Sequence, residues 1–165
     1  MLAPREKLWS TPIEVIDGAI QYLNLSADQL CYDVGAGDGR FLFRLCELST
    51  CYVRGIEISQ DRCQAIENII NEKKLVNRCN IININALEWN YNDADAIFLY
   101  LIPRGLRLFY KKVLLTIKNR KIKVLSYMSP IIELTPVEVL RFSTSQHDGA
   151  QWPLYVYEVY NETEV

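Results

Sequence analysis

The sequence predicts one α/β domain: a seven-stranded, mostly parallel sheet with helices on both faces and an antiparallel hairpin at its edge. Three observations carry this. Strand-like apolar runs alternate with helical patterns over most of the chain. The runs are apolar on successive residues, as in strands covered on both faces. The last part of the chain instead has two β-rich runs with only a polar stretch between them, which suggests antiparallel pairing.

The elements follow in order. Ile13, Ile16, Ile20 and Leu23 share one face of a helix over 12–23. Strands are expected over 30–34, 52–58, 80–84, 96–101 and 122–127. Phe41, Leu42 and Leu45 mark a helix over 39–47. Cys63, Ile66, Ile69 and Ile70 mark another over 60–73, with Ser59 placed to cap it. Pro103 suits the first turn of a helix over 103–117. The span 86–95 is long enough only for a turn. The final strands are expected over 137–142 and 154–160, joined by a polar turn, STSQHDGAQW, that contains His147 as an exposed residue. The whole of 1–165 reads as one domain. It has an N-terminal lid and helix over 1–25, a ligand-binding core over 30–128 and a C-terminal hairpin over 137–160.

The chain carries 18 basic and 20 acidic residues, a net charge of −2. That balance gives no basic footprint for nucleic acid. No apolar run approaches the roughly 20 residues that span a bilayer. Residues 1–12 lack the apolar core of a secretory signal, so a cytoplasmic protein is expected. The five cysteines, Cys31, Cys46, Cys51, Cys63 and Cys79, form no C-x-x-C pair, and His147 is the sole histidine. Buried reduced thiols are expected, and no metal site.

The informative stretch is YDVGAGDGRF, residues 32–41. Gly35, Gly37 and Gly39 fall where the first strand gives way to a helix. Glycine there permits positive φ and lets a ligand approach the backbone. In a doubly wound sheet this is the ligand-binding end. The loop reads G-x-G-x-G, because Arg40 stands where a dinucleotide fingerprint needs its third glycine. The second strand ends near Glu57, twenty residues after Gly37. An acid at that tip can accept hydrogen bonds from both hydroxyls of a ribose.

D-V-G-A-G-D-G-R followed by G-I-E-I resembles the cofactor loop of class I S-adenosylmethionine-dependent methyltransferases. The resemblance implies that Asp33, Gly35, Ala36, Gly37 and Gly39 face the amino-acid half of S-adenosyl-L-methionine. It places Glu57 and Ile58 at the ribose, and Asn85 and Ala86, at the end of the third strand, at the adenine. Three further segments are similar to a small group of lysine methyltransferases without a SET domain: Trp9-Ser10-Thr11-Pro12, Ala94 to Pro103, and Val124 to Pro130. Eukaryotic members of that group modify the ATP synthase c-subunit and the adenine nucleotide translocase. The resemblance covers most of the chain. It departs at Ser129, where the group has phenylalanine, and at Met128, where it has a charged residue.

Methyl transfer is an in-line displacement that needs alignment more than a covalent nucleophile. An amine acceptor must be neutral, which an apolar mouth favours. Tyr100, at the end of the fourth strand, is the expected catalytic residue. Leu101, Pro103 and Ser126 are expected on the substrate side with it. Trp9 and Ser10 are expected to face the substrate and Thr11 the cofactor, as parts of a lid. Ser10 or Thr11 would also serve as an ordinary helix cap. The expected function is transfer of a methyl group from S-adenosyl-L-methionine to a protein lysine, leaving S-adenosyl-L-homocysteine, with a protein as partner. A small-molecule methyltransferase and a silent cofactor-binding scaffold are the alternatives. Arg104, Arg107, Lys111 and Lys112 make one helix basic, a face that is solvated or docks an acidic partner.

Overall fold

The computed structural model describes residues 9–145 and 147–163. The expected side-chain exposure of His147, and residues 1–8 of the expected lid, lie outside the described residues. The elements run α1 (Ile13–Leu23), β1 (Leu30–Val34), α2 (Arg40–Leu48), β2 (Tyr52–Glu57), α3 (Gln60–Glu72) and β3 (Cys79–Asn83). They continue with β4 (Ala96–Leu99), α4 (Pro103–Lys112), β5 (Ile122–Tyr127), β6 (Glu138–Thr144) and β7 (His147–Val159).

The seven strands form one sheet in the order β3-β2-β1-β4-β5-β7-β6. β3, β2, β1, β4 and β5 are parallel, and β7 runs antiparallel to both β5 and β6. Strand order reverses between β1 and β4, so a crevice opens beyond their carboxyl ends. Register places Asp33 opposite Gly55 on one side and Phe98 on the other. This is the expected α/β sheet with its antiparallel edge.

Each face of the sheet has its own core. On one face α1, α2 and α3 bury Ile16, Leu42 and Ile66 against Val53, Phe98 and Val156. On the other, α4 and the 86–94 turn bury Phe109 and Tyr91 against Tyr32, Ile97 and Val124. Each such large apolar side chain contributes about 1.5–3 kcal/mol on leaving water. The turn that replaces a third crossover helix is filled by Tyr91, whose ring meets Tyr32 edge-on at 4.9 Å and Phe109 at 5.4 Å. All five cysteines are buried and unbridged, as expected.

Element ends differ from expectation for local reasons. Ser59 caps α3 by accepting the Arg62 amide, but Pro12 occupies the cap of α1, where neither Ser10 nor Thr11 caps. α4 stops at Lys112 rather than continuing to residue 117, because Val113 leaves helical geometry and a 3-10 turn follows over Leu114–Thr116. Asn161 then donates to the carbonyls of Leu114 and Ile117, a long-range contact invisible to local pattern. β7 begins at His147, so most of the expected polar turn is strand, and the hairpin closes between Thr144 and His147. Among the described residues, no helix is long and apolar enough to cross a membrane.

Candidate active site

The cleft beyond β1 and β4 encloses about 720 Å³, a volume suited to a medium-sized organic ligand. One end is built by the glycine loop. The Gly35 and Ala36 amides donate to the Ile56 carbonyl at 2.8 and 3.1 Å, and the Gly39 amide returns to the Ala36 carbonyl at 2.8 Å. Gly35, Gly37 and Gly39 have φ of 79°, 62° and 77°. Side chains adopt that region only at a cost of about 1–2 kcal/mol per residue, so the loop bends as glycine alone does easily.

Glu57 fixes the loop from the neighbouring strand. It is only 4% exposed. One carboxylate oxygen accepts the Gly37 amide and the other the Ser59 amide, each at 2.9 Å. The Arg62 guanidinium stands 3.8 Å away. Each carboxylate oxygen retains acceptor capacity beyond these bonds.

Asp33 lies at the base of this end, also 4% exposed. Its Oδ2 is buried and has no hydrogen-bond partner among the described residues. Burial, followed by the charges of Glu57 and Asp38, pushes its pKa up to about 7. A buried carboxylate oxygen without a partner is costly, although a backbone hydrogen bond from Leu42 favours the charged form. A cationic group entering the cleft would relieve that cost.

A short strap crosses the cleft edge. The Ser10 hydroxyl donates to Asp38 at 3.4 Å, and Arg40 donates to the Thr11 carbonyl at 3.3 Å. Arg40 and Asp38 are themselves ion-paired at 2.7 Å. Burial raises the Asp38 pKa, but the bonds from Arg40 and Ser10 outweigh it and leave the carboxyl below its ordinary value. Trp9 lines the cleft and is 59% exposed.

Another part of the cleft wall is aromatic and apolar. Phe41 stacks on Phe98 at 4.1 Å, and Tyr100 meets Tyr127 edge-on at 4.9 Å. Burial raises the Tyr100 hydroxyl above its usual pKa, and burial and then Tyr100 and Glu14 raise Tyr127 to about 12. Met128 has φ of 70°, and the Ser129 amide donates to the Tyr127 carbonyl at 2.9 Å. That is a γ-turn of the rarer, positive-φ hand, which is strained for a residue with a side chain. Its neighbours hold it: the Met128 amide donates to the Pro153 carbonyl at 2.9 Å, and the Ser126 hydroxyl to the Ser129 carbonyl at 2.7 Å.

The cleft therefore gathers most of the residues singled out from sequence. Thr11, Asp33, Gly35, Ala36, Gly37, Glu57 and Ile58 line it at the loop end and along the strap. Trp9, Ser10, Tyr100, Leu101 and Pro103 line it elsewhere. Four do not line it. Gly39 is the cap of α2, where a Cβ would stand 2.8 Å from the Phe43 ring. Asn85 uses its amide locally, accepting from Leu87 and donating to Glu88 at 3.1 Å. The Ala86 carbonyl accepts the Tyr91 hydroxyl. Ser126 is fully buried, and its hydroxyl holds the γ-turn.

Sequence reasoning gave no site role to Asp38, Phe98 or Arg104, all of which line the cleft; Met128, noted as a departure from the resembled group, lines it too. Asp38 was inside the glycine motif and readable there. Phe98 required the pairing of β1 with β4, and the positive φ of Met128 is announced by no residue pattern.

No family model matches the sequence. The chain is 24% identical over 132 residues to a protein-lysine N-methyltransferase of Saccharolobus islandicus (strain REY15A), an alignment covering 79% of this chain and 81% of that protein. Its fold is similar to that of an RNA methyltransferase from Salinibacter ruber in complex with S-adenosyl-L-homocysteine, with a TM-score of 0.78 and 19% identity over 94% of this chain and 97% of that one. It is also similar to magnesium protoporphyrin IX methyltransferase from Synechocystis PCC 6803 with bound SAM, with a TM-score of 0.67 and 14% identity over 89% and 78% of the two chains. The fold is thus one shared by methyltransferases that act on unlike substrates.

Proposed function

We propose that the chain is an S-adenosyl-L-methionine-dependent methyltransferase acting on a protein lysine. The observation that carries the cofactor assignment is the pairing of two buried carboxylates around one glycine loop. Asp33 offers an unpartnered oxygen to a cation, and Glu57 offers its remaining acceptor capacity to hydroxyls. An amino acid joined to a ribose presents those two groups, so the residues present fit S-adenosyl-L-methionine. Asp33 would hold its ammonium, Glu57 its ribose, and the Gly35–Gly37 backbone its amino-acid half. Bound there, the cofactor supplies a methyl group on an electrophilic sulfonium.

The chain's own part is to bind, orient and exclude water. Tyr100, Leu101 and Pro103 form the acceptor side, and Trp9 and Ser10 close over it. The Tyr100 hydroxyl accepts a hydrogen bond from the incoming amine and aims its lone pair along the transfer line. A free lysine has a pKa near 10.4 and is charged at neutral pH. The Phe41, Phe98 and Tyr100 wall disfavours that charge and promotes the neutral nucleophile. The lysine assignment is supported by the Saccharolobus relative and by the net charge of −2, which suits a protein acceptor better than a polyphosphate.

The test is transfer of labelled methyl from S-adenosyl-L-methionine into a cell lysate, followed by complete hydrolysis. The expected label is in methyllysine. Label confined to nucleosides or to small metabolites would overturn the lysine assignment.

A further inference from the structure

We propose that α4 is a docking surface for an acidic segment of the protein substrate; this rests on the lysine reading above. Pro103, Arg104, Gly105 and Leu108 of α4 line the cleft. The adjoining solvent face of the same helix carries Arg104, Arg107, Lys111 and Lys112, all exposed. Only Arg107 has a carboxylate within reach among the described residues, Glu133 at 3.4 Å. Positions 104, 107, 108 and 111 share one helical face, so a row of cations runs away from the cleft mouth for about 10 Å.

Lys111 and Lys112 have an ordinary local benefit, because cations favour the carboxyl end of a helix. Arg104 has none. It sits in the first turn, where the helix dipole opposes a cation, and no acidic residue shares that turn. No described carboxylate pairs with it. Its position is explained if an anionic group outside this chain meets it at the cleft mouth. Beside the row stand Ile102, exposed on the cleft rim, and Ile132, 83% exposed next to the Arg107 partner Glu133.

The surface thus combines a short cationic row with apolar knobs. A folded or extended protein segment matches it, with carboxylates along the row and an apolar residue against Ile102 and Ile132. Nucleic acid matches it less well, since a net-acidic chain with one short row makes few phosphate contacts.

The experiment measures binding of two fluorescent peptides to the protein saturated with S-adenosyl-L-homocysteine, by anisotropy at low salt. Both carry one lysine; one is flanked by glutamates and the other by glutamines. The glutamate peptide is expected to bind about tenfold tighter, an advantage erased by Arg107→Glu with Lys111→Glu and weakened by added salt. Lys111→Gln with Lys112→Gln, which removes charge without reversing it, is expected to weaken it partly. Equal binding of the two peptides, or an advantage that survives both variants, overturns the proposal. A single-stranded oligonucleotide that outcompetes the glutamate peptide through the same residues overturns it in favour of nucleic acid. Titration with S-adenosyl-L-homocysteine alone separates these failures from failure of the cofactor reading, because Arg107, Lys111 and Lys112, the substituted residues, do not line the cleft.

Discussion

Glu57 accepts the Gly37 amide at 2.9 Å across a strand boundary, so one buried carboxylate both shapes the glycine loop and faces the cleft. Loop geometry and, on the proposed reading, ligand affinity are expected to depend on the same group. Hydrogen bonds to a charged acceptor each contribute about 1.5–3 kcal/mol. Glu57→Ala is expected to lower the melting temperature measurably and to weaken cofactor binding at least tenfold. Glu57→Gln keeps one acceptor but turns an amide donor toward one of the two backbone N–H groups. It is expected to recover stability only in part, which thermal melts of both variants would read.

Asp33 gives the site a pH dependence. Its folded pKa stands near 7 against an ordinary 3.8. Between those values the ligand-free folded protein keeps a proton that the unfolded chain has lost. That contribution to stability is fully present below about pH 4 and is lost as pH rises through about 7. A cationic ligand prefers the ionised carboxylate, so affinity for S-adenosyl-L-homocysteine is expected to rise from about pH 6 to about pH 7.5, with proton release on binding. Asp33→Asn is expected to remove both the rise and the release. Calorimetry in two buffers of different ionisation enthalpy would detect them.

Arg40 ties the strap to the glycine loop through Thr11 and Asp38. Both partners are partly exposed, so the pair itself contributes little to stability, about 0–1 kcal/mol. Arg40→Ala is expected to leave the melting temperature nearly unchanged. It is expected to accelerate cofactor dissociation several-fold, read by stopped-flow fluorescence of Trp9, because the strap then closes less firmly.

Tyr100 is assigned to the acceptor and not to the cofactor. Tyr100→Phe keeps the edge-on contact with Tyr127 and removes only the hydroxyl. Turnover is expected to fall by about tenfold or more with cofactor affinity unchanged, as for an interaction made mainly in the transition state. A loss of affinity with turnover per bound enzyme intact would move Tyr100 to the cofactor side.

Much of this was legible in sequence where the signal is local. The glycine loop, Glu57 and the apolar strands declare themselves by residue type and spacing. The fold class followed because few arrangements bury such strands on both faces, and the antiparallel C-terminal pair fits an open sheet with an edge. What escaped depends on contacts between distant segments. Gly18 of α1 drew no comment from local pattern, yet the Phe142 ring of β6 packs where its Cβ would be, at 2.1 Å. Asn85 was expected to face the adenine; that its amide also accepts from Leu87 and donates to Glu88 within its own turn is not written in residue type. Ser126 looked like a substrate contact, but it braces a γ-turn whose strain at Met128 appears only in three dimensions. The length of β7 was hidden because its outer half is polar, a composition that pattern reading assigns to turns.

The central claim is that Gly35 and Gly37 make room for an adenosyl amino acid beside Asp33 and Glu57, while Gly39 turns the loop into α2. The measurement that tests it is calorimetric titration of the protein with S-adenosyl-L-homocysteine, repeated with Gly37→Val and with NAD as a control. Gly37 has φ of 62°, a region where a β-branched residue is strained as well as bulky. The account predicts micromolar binding of S-adenosyl-L-homocysteine that Gly37→Val abolishes, and no comparable binding of NAD. Near-normal binding by a folded Gly37→Val protein, or no binding by the folded parent, would contradict it.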